Sequence, residues 1–289
     1  MSSALGLNPM TGPALRVRVC GVGLVAPGIP DWDAGAQVLG GRQPWQPAPL
    51  AIPATEFLPP AERRRAGKAI RLALGCAHQA ILNSGRSAEG VASVFASTDV
   101  DAENTHQICM ALNESEPSLS PTRFHNSVQN AVSGYWTILT DSRAPTTMVM
   151  GADEIVALGL LEALSQAVEA PGPVLLVVFD LPMPAPLFAT HPIEGGGALA
   201  LVLDAGADCG PTLMLQVIRK ADGERPGDLP DTVPDGLEAL RRVHPVGKAL
   251  PFLARLAQLG QGAQGPPGGN LPALLDLDRY HSLQVTIES

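Results

Sequence analysis

The sequence has little of what several common classes of protein require. Aromatic residues make up only 4% of the chain, so aliphatic side chains and alanine must fill the core. Lys and Arg number 19 against 28 Asp and Glu, a formal net charge of −9. Because no basic stripe is present to neutralise phosphates, we expect no nucleic-acid partner. The longest strongly apolar run, residues 174–179, is much too short to span a membrane.

Cysteine and histidine spacing points away from metal sites. The four cysteines, Cys20, Cys76, Cys109 and Cys209, include no CxxC pair. Their apolar or mixed surroundings predict free, buried thiols in a reduced cytoplasmic protein. No His or Cys pair has the spacing of a zinc finger, and we expect neither a metal nor a cofactor. Residues 1–14 contain no charged segment followed by an apolar core, so they are interpreted as a flexible leader, not a signal peptide.

The most informative stretch is residues 121–170. Its pattern predicts a helix, a short turn, a strand, a tight corner and a long helix. Over residues 155–164 that last helix has polar character only at Glu162, and a helix that is apolar nearly all round lies inside a protein. The corner before it, residues 150–154, points at a helix N-terminus, where a dipole favours a thiolate nucleophile. Here the corner holds neither Cys nor Ser.

Strands and helices alternate along the rest of the chain. Hydrophobic periodicity predicts strands at 15–26, 91–97, 174–179, 198–203, 212–218 and 282–288, and helices at 31–40, 61–84, 104–112, 235–243 and 248–259. Proline- and glycine-rich segments predict loops at 43–60, 181–192, 220–234 and 261–270. This order predicts an α/β fold with a largely buried mixed sheet.

Four segments, in chain order, resemble those of a beta-ketoacyl synthase. RVRVCGVGLVAPGIPDWDAGAQVLGGRQPW is similar to the family's first strand, Gly-x-Gly turn and short helix. RRAGKAIRLALGCAHQAILNSG is similar to its alanine-rich helix, NAVSGYWTI to its NA-x-x-G helix, and EGGGALALVLDA to its GEGAG turn and strand. The run FHNSVQNAVSGYWTI resembles short ketosynthase-like N-terminal domains, or chain-length factors, of aryl polyene and xanthomonadin-type pigment clusters.

The resemblance implies a thiolase-like fold, in which two similar α/β halves stack as five layers. Residues 15–205 correspond to a complete ketosynthase-like N-terminal half. Residues 206–289 are too few to repeat it. We therefore expect a shortened, reduced C-terminal half that completes the same domain.

The resemblance also identifies what the chain lacks. An active ketosynthase carries its nucleophilic Cys at the corner before the buried helix. Counting forward from Pro145 places this position at Asp153, whereas counting back from the following helix places it at Gly151. Neither residue can form a thioester, and an Asp in the first turn of a helix is also an ordinary electrostatic choice. The family's two catalytic histidines have no counterpart, because His244 and His281 lack its His-Gly-Thr and Gly-His-Asn settings.

The resemblance thus implies a catalytically inactive subunit of the chain-length-factor type. It would assist an active ketosynthase in polyketide or fatty-acid-type biosynthesis of an aryl polyene-like pigment, and would meet an acyl carrier protein. Five residues are expected at the partner interface and five along an acyl tunnel. The interface residues are Asn130, Thr146, Thr147, Met148 and Val149, and the tunnel residues are Phe124, Val128, Tyr135, Trp136 and Met150.

Two alternatives stay open. The chain could be a homodimer that binds an acyl chain or a carrier protein without chemistry, so its partner is either a ketosynthase subunit or a second copy of itself. It could instead be an acyl-thioester enzyme with altered chemistry, in which Asp153 or His125 acts as acid or base. The densest basic run, residues 63–65 with Lys68 and Arg71, is either a solvated helix face or a contact for an anionic carrier.

Overall fold

A computed structural model describes residues 14–170, 172–220, 233, 236–260 and 272–289. The strands are β1 (Leu15–Val25), β2 (Ala92–Ser97), β3 (Thr146–Met150), β4 (Val174–Asp180), β5 (Gly197–Asp204), β6 (Thr212–Arg219), β7 (Ala273–Asp276) and β8 (His281–Glu288). The helices are α1 (Trp32–Leu39), α2 (Pro60–Arg65), α3 (Lys68–Ser84), α4 (Ala102–Leu112), α5 (Pro121–His125), α6 (Ala131–Thr140), α7 (Ile155–Glu169), α8 (Ala185–Phe188), α9 (Leu237–Val243) and α10 (Leu250–Leu259). A 3₁₀ helix, Pro245–Ala249, precedes α10.

All eight described strands belong to one mixed sheet. Its order is β3-β2-β4-β5-β1-β6-β8-β7. Strand β2 is parallel to both β3 and β4, and the other neighbouring strands are antiparallel. The strands after Asp204 extend the first sheet from the side of β1 and do not build a second one. The described residues therefore form one sheet between two helical layers, not the five layers of a complete two-half thiolase fold.

Helix α3 explains the glycines of β1. Gly21 and Gly23 lie inside β1, not in a turn as the family resemblance implied. A Cβ at Gly21 would lie 2.2 Å from the carbonyl oxygen of Ala80, and one at Gly23 would lie 2.3 Å from that of Cys76. Both clashes are with helix backbone, so strand and helix pack this closely only because neither position has a side chain.

The predicted helix over 61–84 is two helices. Its end is as expected, since Gly85 terminates α3 in the left-handed conformation with φ of 66°. Between α2 and α3, however, Ala66 and Gly67 are extended, with ψ of 119° and 175°. The polar residues of α2 and the alanine-rich run of α3 give one continuous helical pattern, in which a single glycine is a weak sign of a break.

The second face of the sheet carries α1, α7, α10 and the 3₁₀ helix, whose side chains share one apolar cluster with the sheet. Helix α7 buries eight residues there. It is not buried all round as predicted, because Leu158 and Leu161 are half-buried and Val168 is exposed. Among the described residues, the outer side of α7 is therefore only partly covered. Among the described helices, none is long and apolar enough to cross a membrane.

Three further elements differ from the sequence predictions. Helix α8 lies within the predicted loop 181–192, strand β7 was not predicted, and the 3₁₀ helix takes up the start of the helix predicted over 248–259. Short segments of four or five residues carry too few periods of hydrophobicity to be recognised. The predicted leader 1–14 and the loops at 220–234 and 261–270 lie almost wholly outside the described residues.

The prediction of four free thiols is wrong. Cys20 and Cys209 are disulfide-bonded, with their Cα atoms 5.1 Å apart. Cys76 is free and buried, whereas Cys109 is free and exposed. The bonded pair is 189 residues apart in sequence and is brought together by the pairing of β1 with β6, a contact that cysteine spacing does not reveal.

Candidate functional site

The candidate site lies where three parallel strands end. Met150 of β3 is opposite Ser97 of β2, and Val178 of β4 is opposite Ala96. The carboxyl ends of β3, β2 and β4 therefore meet at one edge of the sheet. Ligands of open α/β sheets bind outside such carboxyl ends. The corner between β3 and α7, residues 151–154, lies at this edge.

The corner has no group that can form a thioester. Asp153 is exposed and Gly151 is half-buried. A Cβ at Gly151 would lie 2.8 Å from the Cδ1 atom of Leu158, so a side chain at position 151 would clash with this leucine unless it moved. The Ala152 backbone N–H donates to the Oε1 atom of Glu154 at 3.2 Å. The corner is thus a helix start without a nucleophile, whichever of Gly151 and Asp153 holds the family position.

Asp180, at the end of β4, is a buried carboxyl group that the sequence reasoning missed. It is 1% exposed. Its Oδ1 atom accepts hydrogen bonds from the Ser97 hydroxyl at 2.9 Å, the Thr98 hydroxyl at 2.8 Å and the Thr98 backbone N–H at 2.9 Å. Its Oδ2 atom has no partner within hydrogen-bond geometry among the described residues. Burial raises the pKa of Asp180 to about 7, against the lowering effect of the Thr98 and Ser97 donors.

His244 reaches the same edge from the C-terminal segment. It is 2% exposed, and its Nδ1 atom accepts from the Val246 backbone N–H at 3.2 Å, which caps the 3₁₀ helix. A Cβ at Gly197 would lie 3.5 Å from the Cε1 atom of His244, and Gly197 is opposite Asp180 in the β4–β5 register. Burial lowers the pKa of His244 to about 4, although the Asp180 carbonyl opposes this shift.

Asp180 and His244 are therefore a neighbouring buried acid and base. A carboxyl group with a pKa near neutrality and an uncharged imidazole are the kinds of group that move protons in enzymes. The Nε2 atom of His244, like Oδ2 of Asp180, has no hydrogen-bond partner among the described residues. Since both side chains are almost fully covered, a substrate has no direct access to either in this conformation. Both lie where the C-terminal segment packs against the end of β4 and the start of β5.

The five predicted tunnel residues fall into two groups. Tyr135 and Trp136 are core residues, and Met150 packs against the same apolar cluster beside α3. The Tyr135 hydroxyl is 3.4 Å from the Oδ1 atom of Asn126. Phe124 and Val128 are instead 63% and 47% exposed. The chain by itself therefore places two of the five on a surface and three in or against the core.

The predicted interface residues lie along an open edge of the sheet. Among the described strands, β3 has β2 as its sole neighbour. The Ser93 backbone N–H donates to the Pro145 carbonyl at 3.0 Å. In a parallel ladder this register directs the backbone groups of Thr147 and Val149 toward β2, and those of Thr146, Met148 and Met150 away from it. Asn130 and Thr146 are exposed, and Thr147, Met148 and Val149 are half-buried.

Helix α6 adds a residue that the sequence reasoning missed. Ile138 is 69% exposed, and α6 packs beside β3. The signal was present in the sequence, because Ile138 follows Gly134 by one helical turn on the side away from Tyr135 and Trp136. With Phe124 and Val128, Ile138 gives three large exposed apolar side chains on the two helices and the turn that precede β3.

Asp153 and His125, the acid or base of the enzyme alternative, are both exposed. His125 contacts the ring of Tyr135 edge to face, with centroids 6.1 Å apart. Among the described residues, no group of three His, Cys, Asp or Glu side chains is arranged to hold a metal ion. The corner and the exposed histidine thus show no built acid–base pair.

The sequence profile of the beta-ketoacyl synthase N-terminal domain matches residues 39–250. The chain belongs to this family. A search of curated proteins finds no match. The ketosynthase-like fold also recurs in solved structures, and the three described next are below 25% sequence identity and therefore bear on the fold alone.

Three such structures cover nearly the whole chain. A ketosynthase in complex with its chain length factor from Xenorhabdus doucetiae has 22% identity and a TM-score of 0.67, over 95% of this chain and 100% of that one. The ishigamide ketosynthase/chain length factor has 16% identity and a TM-score of 0.68, over 95% and 99%. A type II polyketide acyl-carrier protein in complex with its hexaketide-bound ketosynthase has 11% identity and a TM-score of 0.67, over 96% and 100%. The chain therefore has the thiolase-like fold of ketosynthases.

Proposed function

We propose that this ketosynthase-like chain has no condensing chemistry of its own and acts as a chain-length-factor-type subunit beside an active ketosynthase. The pathway would be polyketide or fatty-acid-type biosynthesis, of an aryl polyene-like product, in the cytoplasm. The observation that carries the proposal is the corner at residues 151–154. It keeps the family's strand-to-helix geometry, but offers glycine, alanine and two carboxylates where a thiol is required.

The distribution of thiols and imidazoles supports the loss of chemistry. Cys76 is fully buried on the inner face of α3, and burial raises the pKa of its thiol well above the ordinary range. Cys20 and Cys209 are bonded to each other, and Cys109 is exposed on α4. His244 is near the site but buried and uncharged, whereas His281 pairs with Asp278 at 2.9 Å, at the start of β8. None of the four cysteines therefore supplies a thiolate to the corner.

The open edge of β3 supports a protein partner. A strand with unpaired backbone groups and no charged side chain is a template for pairing with another strand. Ile138 on the neighbouring α6 adds exposed apolar surface beside it, and Phe124 and Val128 add more on the segment before α6; such surface marks interaction sites. We assign Asn130 and residues 146–149 to this interface, and Phe124, Val128, Tyr135, Trp136 and Met150 to an acyl tunnel completed by the partner.

Helix α2 supports contact with an acyl carrier protein. Arg63, Arg64 and Arg65 are exposed in a chain whose net charge is −9. The Arg65 carbonyl accepts from the Asn126 side chain at 2.8 Å, which places α2 beside the segment that leads to Val128. A cluster of exposed arginines attracts an acidic partner at ordinary ionic strength.

The two parts of the chain form one domain in this proposal. Residues 15–205 would be the ketosynthase-like half, and residues 206–289 would complete the same domain as a reduced C-terminal half. Support comes from the described C-terminal strands, which join the first sheet, and from α10 and the 3₁₀ helix, which pack on its apolar face.

The test is a reconstitution with the ketosynthase encoded beside this chain and its carrier protein. We expect no condensation by this chain alone, and a shift in product chain length when Val128→Glu replaces the wild type, because a charge would enter the tunnel wall. Val168→Glu is the matched control, since Val168 is also 47% exposed but lies on α7. Condensation by the isolated chain, or unchanged product and complex formation with Val128→Glu, would contradict the proposal.

A further inference from the structure

A second chemical feature lies away from the carboxyl edge, where β1 meets the β5–β6 turn. Cys20 lies at the point where the β1–β5 register shifts, between Val19 and Gly21. Cys209 precedes Gly210, whose φ of +68° turns the chain into β6. Both cysteines are half-buried, and the turn residues Ala205, Gly206 and Asp208 are exposed. Cys20 is thus part of the sheet, whereas Cys209 belongs to a turn whose neighbouring residues are exposed.

One cysteine of the pair has a cationic neighbour. The Nη2 atom of Arg86 lies 3.7 Å from the Sγ atom of Cys20. The same atom makes an ion pair with Asp204 at 2.9 Å, and the Asp204 side chain is only 8% exposed. The Asp204 Oδ1 atom also accepts from the Gly206 backbone N–H at 2.8 Å, which fixes the start of the turn. A guanidinium held in this way favours the thiolate of Cys20 when the disulfide is open.

We propose that Cys20 and Cys209 form a redox-active dithiol site that exchanges with low-molecular-weight disulfides such as glutathione disulfide. The Cys20 thiolate attacks one sulfur of glutathione disulfide, forms a mixed disulfide and releases one glutathione thiolate. The Cys209 thiolate then attacks the Cys20 sulfur and releases the second glutathione. Two thiols lose two electrons and two protons, and one glutathione disulfide becomes two glutathiones.

The site joins the two parts of the sheet. Its bond closes a loop of 189 residues in sequence and ties the turn before β6 to β1. In the reduced form this attachment depends on the β1–β6 ladder and on the apolar packing of the C-terminal segment. Oxidation is therefore expected to raise the Tm of the whole chain by roughly 4 to 15 °C. The inference does not depend on the proposed function, because neither cysteine lies at the corner or on the β3 edge.

The experiment equilibrates the full chain, with Cys109→Ser to remove the exposed thiol, in a series of glutathione to glutathione disulfide ratios. Samples are quenched with acid, alkylated and weighed by intact mass spectrometry. We expect Cys20 and Cys209 to lose alkylation together at one ratio, while Cys76 stays unchanged. In Cys20→Ser and Cys209→Ser one cysteine of the pair remains and cannot form the internal disulfide. Each variant should therefore carry at that cysteine either a free thiol or a single glutathione adduct. Independent alkylation of the two cysteines even in excess glutathione disulfide would overturn the proposal.

A second measurement tests the positioning role of Arg86. In the reduced chain, Arg86→Gln should move the pH profile of Cys20 alkylation to higher pH and slow its reaction at pH 7 several-fold, whereas Arg86→Lys should restore most of the rate. A structural role alone would leave the pH profile where it is in the wild type. An unchanged profile in Arg86→Gln would overturn the assignment of Arg86.

Discussion

The two parts of the sheet end differently. The part before residue 205 ends at β3, a five-residue strand of Thr, Met and Val without a charged side chain. The part after residue 205 ends at β7, a four-residue strand that closes on Asp276. Lys220 makes an ion pair with Asp276 and donates to the Asp278 carbonyl at 2.7 Å. Both strands have one neighbour among those described, yet only β7 carries charge at its edge.

The edge at β7 is protected against pairing with a strand of another molecule, whereas the edge at β3 is not. Short strands and charged side chains prevent edge-to-edge association, and β7 has both features. Strand β3 is only one residue longer but has no charged side chain, and α6, which carries the exposed Ile138, packs beside it. The C-terminal part therefore ends in a charged edge, while the N-terminal part ends in an edge without charge, which is the edge that we propose pairs with a partner.

The residues before and after 205 meet in a buried contact. His244 of the C-terminal part lies over Gly197 beside Asp180 of the N-terminal part, and α10 packs against the apolar face of the sheet. The Cys20–Cys209 bond also joins them, between β1 and the turn before β6. The described C-terminal residues therefore extend the sheet and cover one of its faces.

The largest expected effect comes from proline in the open edge. Met148→Pro removes a backbone N–H that the parallel register directs away from β2, so the β2–β3 ladder is left intact. We expect the Kd for a ketosynthase partner to rise roughly 30-fold or more, about 2 kcal/mol, because the partner loses a hydrogen bond and meets the ring. Isothermal titration calorimetry or interferometry measures this change.

Two controls sharpen the comparison of the edges. Met148→Ala removes the same side chain but keeps the N–H, and should bind within a few-fold of the wild type. Leu274→Pro places the ring in β7, at the opposite edge, and should leave association unchanged. If Leu274→Pro weakened binding as much as Met148→Pro, or if Met148→Pro bound normally while folded, the assignment of β3 as the partner edge would be wrong.

A smaller effect is expected at the contact between the parts. The folded chain binds a proton at Asp180 more tightly than the unfolded chain does, between pH 3.8 and about 7. Its contribution to the free energy of unfolding is therefore complete below this range and falls as pH rises, by about 1.4 kcal/mol per pH unit. His244 has a lowered pKa, so its contribution has the opposite sign and is lost as pH falls from 6.5 to about 4. The two slopes oppose each other where the ranges overlap.

Replacing either residue by asparagine removes its own contribution to the pH dependence of the free energy of unfolding, so each variant should show the contribution of the other residue alone. Relative to the wild type, Asp180→Asn should make the free energy of unfolding rise more steeply with pH between 4 and 6.5, by about 1.4 kcal/mol per unit, and His244→Asn should make it fall. Asparagine keeps an acceptor for Ser97 and Thr98, and another for the Val246 N–H. Urea unfolding at several pH values measures the slopes. Parallel curves for all three proteins would show that these groups do not titrate as the fold implies.

Much of the fold could be predicted from the sequence because periodic apolar runs are long. The strand of residues 174–180, the helix beginning at Ile155 and the capping of α1 by Asp31 all follow local rules. The family was recognised from four ordered segments, and the profile match over residues 39–250 confirms it. Short elements such as α8 and β7 were missed, because four residues carry no usable period.

The buried acid–base contact could not be found in the same way. Asp180 ends an otherwise apolar strand, which is a visible signal, but nothing local connects it with a histidine 64 positions later in the sequence. His244 was considered only for its lack of a family motif. The Cys20–Cys209 bond has the same character, because its partners meet only when β6 pairs with β1. Long periodic elements could thus be predicted one at a time, whereas contacts between two distant elements could not.

The most direct test of the central claim is the mass of what this chain forms in the presence of a ketosynthase. Co-expression with the adjacent ketosynthase, followed by size exclusion with light scattering, measures it. The account predicts a one-to-one heterodimer that Met148→Pro dissociates and Leu274→Pro does not. A homodimer of the 30.0 kDa chain that persists unchanged beside the ketosynthase would contradict the chain-length-factor role and favour an acyl-binding homodimer.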